Sequence, residues 1–138
     1  MENRNDIIVL VIEQGCLPYL KRIQNTPESI QELLGGTFES IYPSPGLALV
    51  MLEDALTRED RPLNRTIKVH KESEFPITAV VAGTFFMCSV DEHGFASLNE
   101  SQIETYRSRF YRPEQFVFLD DKLEPLPMRP IRQTFDQI

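Results

Sequence analysis

The chain has 138 residues and a mass of 16.0 kDa, enough for one domain with a hydrophobic core. It contains 14 Lys and Arg against 21 Asp and Glu, a formal net charge of −7. This charge argues against a general nucleic-acid binder and against a basic membrane-surface helix, because both depend on cationic side chains. A hydrophobic fraction of 41%, with nine Phe and four Tyr, is too high for a disordered chain.

The first part of the chain predicts two strands, a helix and a hairpin. The unbroken apolar run 7–12 is typical of a central strand covered on both faces, and 19–24 predicts a more exposed strand paired with it. Thr26, followed by Pro and Glu, predicts a helix N-cap, and Gly35-Gly36 predicts the helix end. A Pro-Ser-Pro-Gly turn at 43–46 joins an alternating segment to an apolar one and predicts a hairpin.

The middle of the chain contains a charge-rich segment followed by a long apolar one. Residues 53–75 are rich in charge and predict a long loop of the kind that is functional or mobile, with a short edge strand at 66–69. The run 77–90 predicts one long buried strand, bent or bulged at Gly83. Residues 91–94 predict the turn of a hairpin that returns through the next two residues.

A second helix is predicted to begin at Asn99, with Gln102 in the capping-box position and Pro113 as its stop. We expect a globular domain at 1–119 and a proline-containing C-terminal tail at 120–138. Strand pairs joined by short connections predict a single-domain α+β fold. Its sheet is expected to be mostly antiparallel or mixed, with five to six strands and two helices.

The number of cysteines and the N-terminal sequence are the features from which we predict the cellular compartment. Cys16 and Cys88 are too few for a disulfide framework and predict reduced thiols in or near the core, with Cys16 in a loop and better exposed. The polar N-terminus lacks the features of a signal peptide. The run 77–90 has 14 residues, whereas a membrane-spanning helix needs about 20. We therefore expect a cytoplasmic protein without membrane contact.

No motif predicts a reactive centre or a metal site. A zinc site would draw on Cys16, His70, Cys88 and His93, but no two cysteines or histidines have zinc-ligand spacing. Cys88 lies in an apolar run that would raise its pKa, which disfavours a nucleophilic pair with His70 or His93, and Cys16 has no local partner. We expect no metal and no cofactor, and a non-enzymatic role is favoured while a minor enzyme stays open.

Two short motifs are the candidate binding residues. Asn64 and Arg65, in the predicted loop, can make directional hydrogen bonds, and an arginine can clamp a carboxylate or a phosphate. The alternative is that Asn64 forms a turn and Arg65 is a surface cation. Gly83 and Thr84 are small and leave space for a ligand or another strand, and the alternative there is simple tight packing.

Paired carboxylates recur along the chain. We interpret them as a solvated acidic surface. The more specific alternative is an acidic face that binds a basic partner, such as the phosphate-binding groove of a DNA-binding protein. The pairs are Glu53-Asp54, Glu59-Asp60, Asp91-Glu92 and Asp120-Asp121.

An ordered set of short segments supports a family resemblance. The set consists of Leu34-Gly35-Gly36-Thr37-Phe38-Glu39, Pro62-Leu63-Asn64-Arg65, Ala82-Gly83-Thr84-Phe85, Leu98-Asn99-Glu100-Ser101-Gln102-Ile103 and a closing Phe110. Over about residues 6–111 the chain resembles a family of small bacterial domains of unknown function encoded largely on phages, plasmids and conjugative elements. The resemblance implies an accessory role, such as acting on a host protein or a defence system, and supplies no catalytic residue.

The leading hypothesis is a non-enzymatic accessory protein of a mobile genetic element that binds a protein partner and modulates a host defence or DNA-processing protein. The predicted contact surface is the loop 53–75, with Asn64 and Arg65, together with the tail. One alternative is a small-molecule-binding protein or minor enzyme with a pocket near Asn64, Arg65 and Gly83. Another is an acidic DNA-mimic inhibitor. Direct nucleic-acid binding is not expected.

Overall fold

A computed structural model describes residues 5–69 and 77–138 of the chain. It contains one large sheet, two two-stranded sheets and two helices. The elements in chain order are β1 (Asp6–Ile12), β2 (Tyr19–Gln24), α1 (Pro27–Leu34), β3 (Phe38–Ser44), β4 (Leu47–Leu52), β5 (Leu63–Val69), β6 (Ile77–Ala82), β7 (Phe85–Asp91), β8 (Gly94–Ala96), α2 (Glu100–Arg109), β9 (Glu114–Leu119) and β10 (Lys122–Pro127).

The main sheet has the strand order β2-β1-β7-β4-β3, with β8 paired to β7, and all of its pairs are antiparallel. Every residue of β4 is buried, β7 adds Phe85 and Phe86 to the core, and β1 adds Val9 and Leu10. The apolar runs without alternation are thus the central strands, covered on both faces. This arrangement confirms the predicted α+β fold with a mainly antiparallel sheet and two helices.

Both predicted helices begin and end as their caps require. In α1 the Thr26 hydroxyl accepts a hydrogen bond from the Ser29 N–H at 3.2 Å, and Gly35 closes the helix at a φ of 87°. In α2 the Asn99 side chain accepts from the Gln102 N–H at 2.8 Å, and the Gln102 side chain accepts from the Asn99 N–H at 2.9 Å. In the described part of the chain the helices have eight and ten residues, and neither could cross a bilayer.

The prediction of one long strand at 77–90 was wrong. The chain forms β6 and β7, which belong to different sheets, and turns between them at Gly83, where φ is 83°. A side chain at this position would be strained, and its Cβ would lie 3.0 Å from Leu52 Cδ1. Because the residues on both sides of Gly83 are equally apolar, periodicity alone does not reveal the break.

The predicted long loop at 53–75 is interrupted by a strand. β5 begins at Leu63 and pairs with β6, so the predicted edge strand at 66–69 is its second half. Residues 70–76, which include His70, lie outside the described residues. The polar composition concealed this strand because its first residues are buried polar side chains, as described below.

The expected tail at 120–138 is largely ordered by pairing. β10 pairs with β9 through a turn at Asp120 and Asp121, whose φ values are 52° and 64°. After β10, the Met128 N–H donates to the Pro113 carbonyl, and further hydrogen bonds join residues 131–137 to residues 15–22. The contacts that hold this segment are made with residues distant in sequence, and such contacts leave no local signal in the sequence.

Candidate functional site

Asn64 and Arg65, predicted to lie on a loop, are fully buried at the start of β5. The Asn64 Nδ2 donates to the Ile12 carbonyl and to the Gly83 carbonyl, both at 2.9 Å. Asn64 therefore ties β5 to β1 and to the turn between β6 and β7. The structure thus brings three of the four candidate residues together in the interior, while Thr84 lies half-buried beside Gly83.

Arg65 donates its hydrogen bonds to oxygens of the chain itself. Nη2 lies 2.6 Å from the Cys16 carbonyl and 3.1 Å from the Phe110 carbonyl, and Nη1 lies 2.9 Å from Asn64 Oδ1. Burial lowers the pKa of Arg65 to about 10, against the opposing field of Glu114, so the guanidinium is protonated at neutral pH. Arg65 forms no ion pair among the described residues. Its donors join β5 to the segment that contains Cys16 and to the end of α2 at Phe110.

Two hydrogen-bond partners of Arg65 are adjacent in sequence to the lining of an open groove of about 400 Å³. Cys16 precedes Leu17, and Phe110 precedes Tyr111, and both following residues line the groove. We refer to this feature as the arginine-rimmed groove. Its lining residues are Leu17, Tyr111, Arg112, Pro113, Pro127, Met128, Arg129 and Pro130.

The lining of the groove combines apolar side chains, which we call its floor, with two cationic side chains, which we call its rim. Three prolines, Leu17 and Met128 supply the apolar surface, and Tyr111 is 54% exposed. Arg112 and Arg129 are exposed, and neither forms an ion pair or hydrogen bond with the residues that the structure describes. An exposed arginine without a partner can donate two parallel hydrogen bonds to a carboxylate or a phosphate.

A second concavity of about 620 Å³ shares Tyr111 and Arg112 with the groove. It is lined by Arg107 and Arg109 at the end of α2, together with Glu104 and Ser108. The Arg107 guanidinium is already paired, because its Nη2 lies 3.1 Å from Asp136 Oδ2. The two concavities are together lined by four arginines and one carboxylate, and Asp136, paired with Arg107, adds a second carboxylate beside them.

The groove was not predicted from the sequence, because no single segment contains it. Its lining comes from three separate segments, at 17, at 111–113 and at 127–130. The arginines in the last turn of α2 are favourable charges at a helix C-terminus, which is a sufficient local reason for their presence. The prolines of the C-terminal segment were interpreted as features of a tail, so no local signal distinguished the groove.

The thiols are buried, as predicted, and both are free. The expectation that Cys16 is the better exposed thiol was wrong, because it is only 1% exposed. Burial raises the pKa of the Cys88 thiol to about 12 and also raises that of Cys16. His93 lies exposed in the turn between β7 and β8, 3.5 Å from a Glu92 carboxylate oxygen. No cluster of metal-ligating side chains occurs within the two described ranges.

The carboxylate pairs lie at turns rather than on one strand face. Asp54, Asp120 and Asp121 have positive φ, which Asp tolerates better than most residues. Asp60 pairs with Arg58 at 2.6 Å, and Asp91 accepts from the His93 N–H at 2.8 Å. These residues therefore have local roles in the turns where they occur.

The fold and the groove define a small α+β domain with a buried arginine behind an open cationic groove. The chain belongs to the family described as domain of unknown function DUF3846, whose model matches residues 7–111. No curated protein and no solved structure matches the chain. The matched range confirms the family resemblance. It includes Leu17 and Tyr111 but ends before the prolines and Arg129 of the groove.

Proposed function

We propose that the chain is a non-enzymatic protein-interaction module whose arginine-rimmed groove binds an extended, acidic and partly apolar segment of a partner protein. The observation on which this proposal rests is the pair Arg112 and Arg129, which are exposed beside a floor of prolines and Met128 and form no ion pair with any residue that the structure describes. Carboxylates of the bound segment pair with the arginines, and its apolar side chains cover the floor.

The composition of the groove supports a protein ligand. Arginine, tyrosine and methionine are enriched in protein–protein interfaces relative to the rest of the surface, and Tyr111 offers a large side chain with little rotamer freedom to lose. A floor of three prolines is already rigid, so binding orders little of the chain itself. The whole chain carries a net charge of −7, so its other faces repel an acidic partner and approach is favoured at the rim.

The buried candidate residues have a positioning role in this proposal. Arg65 joins the carbonyls of Cys16 and Phe110 through one guanidinium, and the next residue of each segment lines the groove. The Thr66 hydroxyl also donates to the Glu114 carboxylate at 3.0 Å, beside the groove residue Pro113. Residues 64–66 therefore set the spacing between the walls of the groove from behind.

The biological context that we propose for this protein binding is based on the family resemblance. An accessory protein encoded on a mobile genetic element would use the groove to bind a host protein, including one of a defence or DNA-processing system. Support for this part of the proposal is the resemblance alone. Capture of the same host protein by the wild-type chain and not by the groove variant described below is the result that it requires.

One alternative is favoured by a specific observation. Asn64, Arg65 and Gly83 converge, as a small-molecule site near them would require. Their donors, however, are occupied by carbonyl and amide oxygens of the chain, so a ligand would have to displace these bonds at a cost of about 1–3 kcal/mol for each buried group left unpaired. A metabolite that raises the melting temperature of the wild-type chain but not of Asn64→Ala would favour this alternative.

A peptide selection tests the groove directly. Random peptides displayed on phage are selected on the immobilised full chain, and one enriched peptide is synthesised for affinity measurements by fluorescence anisotropy. We expect the enriched sequences to be rich in Asp and Glu next to apolar residues. The double variant Arg112→Glu and Arg129→Glu should bind the chosen peptide at least about tenfold more weakly, equivalent to 1.4 kcal/mol.

The control changes the same net charge elsewhere. Arg22 and Lys122 are exposed and do not line the groove, so Arg22→Glu with Lys122→Glu should bind within about twofold of wild type. An equal loss in the control would show that overall charge, and not the groove, governs binding. Enriched peptides without an excess of acidic residues would contradict the proposal.

A further inference from the structure

Residues 131–138, which we refer to as the strap, lie along the outer edge of β2 and form one isolated parallel bridge with it. The Arg22 N–H donates to the Gln137 carbonyl at 2.9 Å, and the Gln137 N–H donates to the Leu20 carbonyl at 2.6 Å. Lys21 and Gln137 are therefore bridge partners. The strap thus occupies main-chain groups that β2, as an edge strand, would otherwise present to solvent.

Other contacts set the register of the strap. Its first residue, Ile131, donates its N–H to the Gly15 carbonyl, and the Thr134 hydroxyl donates to the Leu17 carbonyl, both at 2.8 Å. The Asp136 carboxylate accepts from the Leu20 N–H at 2.8 Å and from Arg107. Because these contacts follow the chain from Gly15 to Arg22 in order, the edge recognises the strap in one register.

The strap is held mainly by polar contacts and is weakly buried. Its apolar side chains Ile131, Phe135 and Ile138 are 61%, 66% and 65% exposed, and no strap residue belongs to the hydrophobic core. Detachment would therefore uncover main-chain groups of β2 but little of the core. Segments with few buried apolar contacts are those that open without global unfolding.

We propose that the edge of β2 is a strand-docking site and that its partner is the strap of a second copy of this chain. A strap from another copy would make the same contacts with Gly15, Leu20 and Arg107, so exchange preserves every interaction of the closed form. Because β10 ends at Pro127, the connection to the strap is short, and Pro130 in it favours extended backbone, which disfavours the return of a detached strap to its own domain.

The bridge between Lys21 and Gln137 provides the test. Two full-length variants are prepared, Lys21→Cys with isotope labelling and Gln137→Cys without, and they are mixed under mild oxidation. Gln137 is exposed and Lys21 is half-buried outside the hydrophobic core, so both variants should fold as the wild type does. We expect a disulfide between position 21 of one chain and position 137 of the other. Its yield should rise with protein concentration, with mass spectrometry identifying the linked peptides.

A cysteine elsewhere on the strap is the matched control. Gln133 is exposed and lies outside the bridge to β2, so Gln133→Cys mixed with Lys21→Cys should give several-fold less cross-link. Equal yields in both mixtures would indicate random collision and would overturn the proposal. A chain with both Lys21→Cys and Gln137→Cys that links only within itself, with no link between chains at any concentration, would also overturn it.

Discussion

Arg65 is a fully buried cation whose hydrogen-bond partners are main-chain and amide oxygens. A buried charge without a counter-ion is costly unless its hydrogen-bond capacity is met. Here carbonyls of Asn64, Cys16 and Phe110 supply that capacity from three separated segments. Removing the guanidinium therefore leaves buried carbonyls without donors and separates the segments that it joins.

At the residue scale, Arg65→Met keeps most of the side-chain volume and removes every donor. We expect the free energy of unfolding to fall by about 3–5 kcal/mol, measured by urea denaturation. Arg22→Met, at an exposed position, is the control and should change it by less than about 0.5 kcal/mol. A loss at Arg65 no larger than that of the control would show that the network contributes nothing to stability.

Asp136 makes the docking of the strap sensitive to acid. Partial burial raises the pKa of this carboxyl, but the hydrogen bond from the Leu20 N–H and the pairing with Arg107 lower it by more, so the net shift is downward. A depressed carboxyl pKa stabilises the docked form above the ordinary Asp value, about 3.9, and this contribution is lost as the pH falls through the docked pKa.

We therefore expect the Arg22 and Gln137 amides to lose protection from hydrogen exchange below about pH 4, before the core strands do. In Asp136→Asn the strap should already be less protected at neutral pH, and the acid-dependent step should be absent. Asp121→Asn, at an exposed carboxyl outside these contacts, is the control. Simultaneous loss of protection in the strap and in β4 would contradict this assignment.

At the scale of elements, the turn between β9 and β10 shows a local conflict. Asp120 and Asp121 both have positive φ, a geometry that two-residue hairpins favour and that Asn-Gly adopts with less strain. Asp120→Asn with Asp121→Gly should raise the free energy of unfolding by about 0.5–1 kcal/mol, measured in urea. Glu92→Gly, in another hairpin turn but without a positive φ, should not stabilise. No gain from the double variant would mean that β10 contributes little to stability.

At the scale of the whole molecule, charge is unevenly distributed. The chain carries −7, yet the two concavities around Tyr111 are lined by four arginines and one carboxylate. Such a field accelerates the approach of an acidic segment at low ionic strength and is screened when the Debye length becomes short. The arginine-rimmed groove should therefore show salt-dependent association.

The association rate constant of the selected peptide should fall roughly tenfold between low salt and about 0.5 M salt, measured by stopped-flow fluorescence. The double variant Arg112→Glu and Arg129→Glu should show a flat or inverted salt dependence. The matched pair at Arg22 and Lys122 should keep the wild-type slope. A wild-type rate that does not respond to salt would show that apolar contact alone governs the encounter.

The sequence alone was sufficient for those features whose causes are local. The caps at Thr26 and Asn99 satisfy donors within three residues, and the central strands are apolar on both faces, so composition and spacing predict them. The burial of Asn64 and Arg65, the division of 77–90 into strands of two sheets, and the arginine-rimmed groove were decided by tertiary structure. In each case the interacting residues are distant in sequence, as Arg65 and the carbonyl of Phe110 are. In the sequence, a polar residue at the surface cannot be distinguished from one whose hydrogen bonds are satisfied in the interior, because its partners are known only from the tertiary structure.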